Sequence, residues 1–247
     1  MKLEKNKGKN MRLKIERRLF FLKRITSIFN YSSLLYSKEV IYQNLFYKLI
    51  EKKSDIDFFP VKAAASYSLL YLIYRTIEEV PVSNVLELGA GESTKLLSSI
   101  VGIGSSKKVV TLESDEFWAN SLNEQVHSNI NVIFSPERVE NIRGYESSCY
   151  LEDLDGSYFD MIIVDAPKGL KKRSRWCSLK YLSNNLSKEG FVVIFDDVDR
   201  LGEMDTVEEF LNLLEKKGVD YQVSFTRARK TQCLISSGDS YRKAHFF

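Results

Sequence analysis

The sequence from residue 84 onward alternates between short apolar runs and longer segments of mixed polarity. This alternation limits the possible folds more than any other feature of the chain. Because strands joined through helices run parallel, the pattern predicts a mostly parallel sheet covered by helices on both faces. The last two runs have only a short turn between them, which predicts an antiparallel pair at the edge. The predicted strands are 84–88, 108–112, 131–134, 159–164, 191–195, 221–225 and 232–235, and the predicted helices are 93–100, 115–126, 175–186 and 206–217.

The region before the first strand is organised differently. Residues 34–53 and 61–79 have the apolar spacing of helices, and a break at 55–60 separates them. A chain of 247 residues is long enough for one large α/β domain and an extension. We therefore expect an N-terminal helical extension over 1–60 and an α/β domain over 61–247.

The charge of the chain is concentrated at its N-terminus. Residues 1–24 hold ten Lys and Arg against two Glu, so this segment carries +8 and the remainder carries −5 within a total of +3. A mildly acidic body argues against a protein that binds nucleic acid over its whole surface. No apolar run is long enough to span a bilayer, and no secretory signal is evident.

The same N-terminal segment has the pattern of a basic amphipathic helix. Its apolar stripe has two competing interpretations: it lies on an anionic membrane surface through residues 1–30, or it packs on the body of the protein. An RNA-binding arm is a third interpretation. The stripe consists of Ile15, Leu19, Leu22, Ile25 and Phe29.

The segment VLELGAGEST, residues 85–94, joins the first predicted strand to a helix through two glycines. Glycines there let the backbone approach a ligand, and the start of the helix offers free N–H groups. A dinucleotide-binding loop has a third glycine where this chain has Thr94. Glu113 ends the next strand, and an acid at that place can accept both hydroxyls of a ribose. Together the loop and the acid predict a nucleotide site.

With the strand ends DMIIVDAP and GFVVIFDD, these residues resemble the class I S-adenosylmethionine-dependent methyltransferases over roughly residues 61–236. The resemblance implies a Rossmann-like sheet of seven strands with a reversed last strand, and S-adenosylmethionine as cofactor. Glu113 would hold the ribose, and Ser93 and Thr94 would cap the helix beside the cofactor. The loop 135–137 would lie near the adenine. The residues that would cradle the methionine part are Glu87, Gly89, Ala90 and Gly91.

Acids also stand at the predicted carboxyl ends of the fourth and fifth strands, where an open α/β sheet places its site. Three carboxylates that converge need a counter-charge, and Mg²⁺ would supply one. Asp165, Lys168 and Asp196 resemble the pattern of the metal-dependent catechol and caffeoyl-CoA O-methyltransferases, whereas Asp197 stands where that family has Asn. We expect Asp165, Lys168 and Asp196 to be catalytic. The metal ligands would be Asp165, Asp196 and Asp197, although the acids can instead bind substrate hydroxyls or act as a base directly.

The sequence thus predicts a methyltransferase that methylates a hydroxyl of a small molecule, a sugar or a glycan precursor. We expect it in the cytoplasm, at the inner face of the membrane if the N-terminal helix binds there, and with its three cysteines reduced. One alternative is an RNA or protein methyltransferase whose basic arm binds the substrate. The other is a non-catalytic scaffold of the same fold. Two further basic segments, 168–176 and the turn at 227–230, have no assigned role beyond a possible anion contact at the first.

Overall fold

The computed structural model describes residues 30–51, 65–102, 105–167, 173 and 175–247. Its helices and strands alternate along the α/β domain as the sequence predicts. The helices are α1 (Asn30–Ile50), α2 (Tyr67–Glu79), α3 (Glu92–Val101), α4 (Glu116–Asn123), α5 (Ser178–Asn184), α6 (Leu201–Lys216) and a 3₁₀ helix (Asp239–Phe246). The strands are β1 (Asn84–Leu88), β2 (Lys108–Glu113), β3 (Ile130–Phe134), β4 (Glu137–Ile142), β5 (Tyr145–Tyr150), β6 (Met161–Val164), β7 (Phe191–Phe195), β8 (Gln222–Arg227) and β9 (Thr231–Ser237).

Seven of these strands form one twisted sheet in the order β3-β2-β1-β6-β7-β9-β8. The pairs within β3-β2-β1-β6-β7 are parallel, and β9 is antiparallel to both of its neighbours. The predicted fold class, a doubly wound sheet of seven strands with a reversed last strand, is confirmed. The reversed strand lies inside the sheet, between β7 and β8, so the edge strand itself is β8.

The central strands β1, β6 and β7 are buried on both faces of the sheet, and most of their side chains are apolar. Successive side chains of a strand point to opposite faces, so neighbours in sequence enter different cores. In β6, Met161 and Ile163 pack with α2 and α3, while Ile162 and Val164 pack with α5 and α6. Because β3, β2, β1, β6 and β7 are parallel, their carboxyl ends lie along one edge of the sheet, where this type of sheet binds ligands through the loops that follow the strands.

Helix α1 of the predicted extension packs directly on the domain. Phe46 and Ile50 are buried in the same core as α2, and the carboxylate of Glu39 accepts a hydrogen bond of 2.6 Å from the backbone N–H of Tyr67. The amphipathic stripe of residues 15–29 lies outside the described residues. Within the described ranges, no helix is long and apolar enough to cross a bilayer.

The structure contains a hairpin that the sequence does not reveal. Strands β4 and β5 pair with each other over residues 137–150 and form a separate two-stranded sheet. Along the chain this hairpin lies between β3 and β6. Most side chains of β4 are polar or exposed, so its sequence lacks the apolar run that identifies the other strands.

A disulfide joins this hairpin to the segment before α5. Cys149 of β5 and Cys177 are bonded with a Cα–Cα distance of 5.2 Å, whereas Cys233 is free and buried. The expectation of three reduced cysteines is therefore wrong for this pair. The spacing of 28 residues could not reveal the bond, because the unpredicted hairpin brings the two cysteines together.

Candidate functional site

The glycine loop lies at the carboxyl end of β1, where the chain turns into α3. Gly89 has a φ of +96°, a backbone conformation that side chains with a Cβ rarely adopt. A Cβ at Gly89 would also lie 2.5 Å from the Cβ of Ala166, in the loop after β6. A glycine at this position therefore allows the loops after β1 and β6 to touch.

A buried hydrogen-bond chain holds the glycine loop in place. The backbone N–H of Gly91 donates to the hydroxyl of Thr94 at 2.9 Å, and that hydroxyl donates to Oε2 of Glu87 at 2.6 Å. The Thr111 hydroxyl donates to the same oxygen at 2.9 Å. Glu87 is fully buried, and burial raises its pKa to about 7. The loop is thus fixed from beneath by a carboxyl group rather than by packing alone.

The capping of α3 differs in one respect from the expectation. Gly91 is the residue before the first turn, and Thr94 accepts from its backbone N–H, as a capping side chain does. Ser93 instead lies within the first turn and is buried. Helix α3 begins one residue earlier than predicted, because Thr94, three residues after Gly91, closes the first turn.

Glu113, at the end of β2, faces the glycine loop from the neighbouring strand. Its Oε2 accepts a hydrogen bond of 2.9 Å from the backbone N–H of Ala90. Its Oε1 accepts from the N–H groups of Ser114 at 2.8 Å and Asp115 at 2.9 Å. The sequence thus correctly indicates that this acid and the glycine loop lie together.

The backbone at the start of α3 is open on one side. A Cβ at Gly91 would meet no atom within 4 Å, so the chain leaves room there. Glu87 lies beneath this point, and a hydrogen bond from the Ser93 side chain lowers its pKa against the larger effect of burial. The loop 135–137 is less open than expected of an adenine contact: Ser135 is buried, and its hydroxyl accepts from the N–H of Glu152 at 2.9 Å.

Three acids meet at the carboxyl ends of β6 and β7, and we call them the acid cluster. Asp165 follows β6, and Asp196 and Asp197 follow β7, with one carboxylate oxygen of each lying within 4.8 Å of the others. Asp197 has a φ of +59°, which Asp and Asn tolerate better than other residues with a Cβ. Asn and Asp are therefore both suited to this backbone turn.

Lys230, in the turn between β8 and β9, lies against the acid cluster. Its Nζ is 2.8 Å from Oδ2 of Asp196 and 3.3 Å from Oδ1 of Asp197. The other oxygen of Asp196, Oδ1, accepts a hydrogen bond of 2.8 Å from the side-chain amide of Gln232. Only 15% of the Lys230 side chain is exposed, so this turn is not the solvated loop that its charges suggest.

Arg175 approaches the acid cluster from the other side. Its Nη1 donates to the backbone carbonyls of Val164 at 3.0 Å and Asp196 at 2.9 Å, which joins the ends of β6 and β7. Its Nη2 lies 3.4 Å from Oδ1 of Asp165 and 3.5 Å from Oδ2 of Asp197. Arg175 is buried, although it comes from the basic segment 168–176 that reads as an exposed loop.

Burial and charge act in opposite directions on the ionisable groups of this site. Burial and the neighbouring charge of Asp196 raise the pKa of Asp165 to about 7, against the opposing charges of Arg175 and Lys230. Burial alone would lower the pKa of Lys230, but the negative charges of Asp196, Asp165 and Asp197 outweigh it and raise that pKa. Lys230 is therefore a cation at neutral pH, and Asp165 is the acid of the cluster that changes its protonation near neutrality.

The structure brings together all but one of the residues that the sequence assigns to chemistry. Asp165, Asp196 and Asp197 form one cluster, whereas Lys168 lies outside the described residues. The sequence missed Lys230 and Arg175. The cluster of basic residues at 168–176 was the one available signal for Arg175, and nothing near Lys230 in sequence points to the acids.

Comparison of the fold with solved structures identifies its type. The chain superposes on the O-methyltransferase TomG from Streptomyces achromogenes, solved in complex with SAM, with a TM-score of 0.53 and 17% identity over 84% of this chain and 98% of that one. It superposes on the SAH-bound methyltransferase PaMTH1 from Podospora anserina with a TM-score of 0.55 and 17% identity over 86% and 98%. The fold is that of the class I methyltransferases.

Sequence comparison adds nothing to this likeness. No family model matches the sequence, and no curated protein matches it. The assignment of the methyltransferase fold therefore rests on the structure alone.

Proposed function

We propose that this protein is an S-adenosylmethionine-dependent methyltransferase that methylates a hydroxyl group of a small molecule, a sugar or a glycan precursor. The observation that carries the proposal is the close approach of Gly89 to Ala166. A Cβ added at Gly89 would lie only 2.5 Å from the Cβ of Ala166. This contact brings the cofactor loop and the acid cluster to one place. A methyl group held above the glycine loop would therefore lie beside Asp165.

The proposed reaction is a direct transfer of the methyl group, which needs little chemical assistance from the protein. The acceptor oxygen would attack the methyl group of the sulfonium, so that an O–C bond forms while the S–C bond breaks. The sulfonium loses its positive charge and leaves as the neutral thioether S-adenosylhomocysteine. The protein must hold the two reactants in line and remove the proton of the hydroxyl.

Asp165 is the residue that we assign as the base. Its side chain is 24% exposed, the most of the three acids, so an acceptor can reach it. A pKa near the working pH is what a general base needs, and burial raises the pKa of Asp165 to about 7. Asp196 is fully buried and would position the cations around Asp165. Lys168 keeps its predicted catalytic role as part of this proposal.

The glycine loop and Glu113 are assigned to the cofactor. Glu113 would accept a hydrogen bond from a ribose hydroxyl at Oε2, which accepts one backbone N–H, from Ala90, and keeps a second lone pair. Gly89, Ala90 and Gly91 would pass along the methionine part, and Thr94 and Glu87 would keep their backbone in position. Ser93 would contribute through the first turn of α3.

We also propose that residues 1–30 bring the enzyme to an anionic membrane surface, where glycan precursors are found. Helix α1, which follows this basic segment, has three apolar side chains more than half exposed: Leu34 at 52%, Val40 at 53% and Ile41 at 56%. Such side chains next to a segment of charge +8 suit the boundary between headgroups and acyl chains.

Two experiments test these assignments. Purified protein is incubated with S-adenosylmethionine that carries a labelled methyl group, and with panels of hydroxylated small molecules, RNA and protein. Label in a small molecule supports the proposal, label in RNA or protein favours the basic arm as a substrate-binding segment, and binding without transfer favours a scaffold. Flotation with phosphatidylglycerol vesicles, with and without residues 1–30, tests the membrane site; equal flotation of both forms would exclude it.

A further inference from the structure

The acid cluster already has its counter-charge within the chain. Four carboxylates meet here, because Glu203 is also buried and lies 3.8 Å from Nε of Arg175. Three cations contact them: Arg175, Lys230 and Arg200, whose Nη1 lies 3.0 Å from Oδ2 of Asp197. These four carboxylates and three cations together carry about one negative charge, far less than the four carboxylates alone. Asp199, whose charge interacts with those of Asp196 and Asp197, is a further acid beside them.

The oxygens that a metal ion would need are mostly taken. Of the six carboxylate oxygens of Asp165, Asp196 and Asp197, five have a donor from the described chain within 3.5 Å. Lys230 alone contacts two of the three acids, at 2.8 and 3.3 Å. A divalent cation at the centre of the cluster would have to displace the lysine ammonium and would then face two guanidinium groups. The residues present thus do not fit a resident metal ion.

We propose that Lys230 occupies the place of the divalent cation that the sequence predicts at the acid cluster, and that this site is metal-independent. The role of Lys230 in catalysis rests on the proposed function. The exclusion of a metal ion does not, because it is argued from the contacts of Lys230 and the acid cluster alone. Lys230 comes from the β8–β9 turn, and the two acids follow β7, so the arrangement depends on the antiparallel pairing of β7 with β9. Gln232, the second residue of β9, donates a hydrogen bond to the remaining oxygen of Asp196.

An ammonium group can perform part of what a metal ion would do here. It carries three N–H donors, and the contacts to Asp196 and Asp197 use two of them. The third can donate to the oxygen of an acceptor beside Asp165, which would favour the alkoxide form as the proton leaves. Lys230 is in this view a binding and charge-compensating group, and Asp165 remains the base.

Metal binding to the full-length protein tests the proposal without any knowledge of the acceptor. The probe is Mn²⁺, followed by electron paramagnetic resonance after the protein has been treated with EDTA and dialysed. The proteins are the wild type, Lys230→Ala, Lys230→Gln and the control Lys188→Ala, which removes an exposed lysine before the start of β7, at the opposite end of that strand from Asp196 and Asp197. Circular dichroism checks that each variant is folded.

We expect no Mn²⁺ binding by the wild type or the control at millimolar metal. Removing Lys230 leaves four carboxylates against two arginines, so the variants should bind a single Mn²⁺ with an affinity raised about tenfold or more. Adding Asp196→Asn should abolish that binding. A wild-type protein that binds one Mn²⁺ and loses it in Asp196→Asn would overturn the proposal. So would folded Lys230 variants that bind none.

The proposed function can fail separately. Calorimetry with S-adenosylhomocysteine on the same samples reports on the glycine loop and not on the acid cluster. Absence of cofactor binding would refute the methyltransferase assignment, while the Mn²⁺ result would still decide whether Lys230 excludes a metal ion.

Discussion

The carboxylate of Glu113 accepts a hydrogen bond from the backbone N–H of Ala90, at 2.9 Å. This contact joins the end of β2 to the glycine loop after β1, so the predicted ribose acid and the predicted cofactor loop lie side by side. Both residues lie at the carboxyl edge of the parallel strands.

Replacing Glu113 with Ala should weaken cofactor binding. The variant loses a charged acceptor for the ribose and leaves the Ala90 N–H without its partner. Hydrogen bonds to charged groups contribute about 1.5–3 kcal/mol, so the Kd for S-adenosylhomocysteine should rise about 10- to 100-fold. The control is Glu116→Ala, an exposed acid in the first turn of α4. Equal Kd values for Glu113→Ala and the wild type would remove Glu113 from the cofactor site.

The two loop glycines should respond differently to alanine. Gly89→Ala forces a Cβ to 2.5 Å from that of Ala166 at a φ of +96°, and should lower the free energy of unfolding by about 1–3 kcal/mol. Gly91→Ala meets no atom within 4 Å, so its unfolding free energy should change by less than about 1 kcal/mol. Its new methyl group nevertheless points into the proposed cofactor space. Urea unfolding and calorimetry should therefore separate them: Gly89→Ala loses stability, and Gly91→Ala loses affinity. Unchanged affinity in Gly91→Ala would place the cofactor elsewhere.

Glu87 should make the stability of the protein depend on pH. Burial raises its pKa from the ordinary 4.5 to about 7, so between these values the folded state holds a proton that the unfolded chain has lost. Its contribution to stability is therefore fully present below about pH 4.5, falls as the pH rises to about 7, and is constant above. The loss is on the order of 3 kcal/mol.

Glu87→Gln removes this contribution because glutamine does not titrate. The difference in unfolding free energy between wild type and Glu87→Gln should shift in favour of the variant when urea unfolding is moved from pH 5 to pH 8. Glu124→Gln, at an exposed position, is the matched control and should follow the wild type. A constant difference between wild type and Glu87→Gln at both pH values would contradict a raised pKa for Glu87.

The cysteines give a prediction that bears on the compartment. With Cys149 and Cys177 bonded and Cys233 free, a thiol reagent in denaturant should titrate one thiol per chain, and three after reduction. A loop of 28 residues closed by the bond implies that the double variant with serines loses about 3–4 kcal/mol of stability. Three thiols without reduction would restore the original expectation of reduced cysteines. Disulfides are rare in a reducing cytoplasm, so a single thiol would count against that location.

The elements and sites found from the sequence are those with a local pattern. Strands such as β6 and β7 are continuous apolar runs, and the glycine loop is recognised directly from the residues that follow β1. The hairpin β4–β5 was not predicted because its residues are largely polar and partly exposed. Tertiary contacts between distant positions have no such pattern. Lys230 meets Asp196 across 34 residues, and Arg175 meets it across 21, so charges that look solvated in sequence are buried partners in the fold.

The most direct measurement of the central claim is isothermal titration calorimetry of the purified protein with S-adenosylhomocysteine, paired with Glu113→Ala. The account predicts saturable binding of one ligand per chain by the wild type, weakened about 10- to 100-fold in the variant. No heat of binding and no thermal stabilisation by the ligand, from a wild-type protein that circular dichroism shows to be folded, would contradict it.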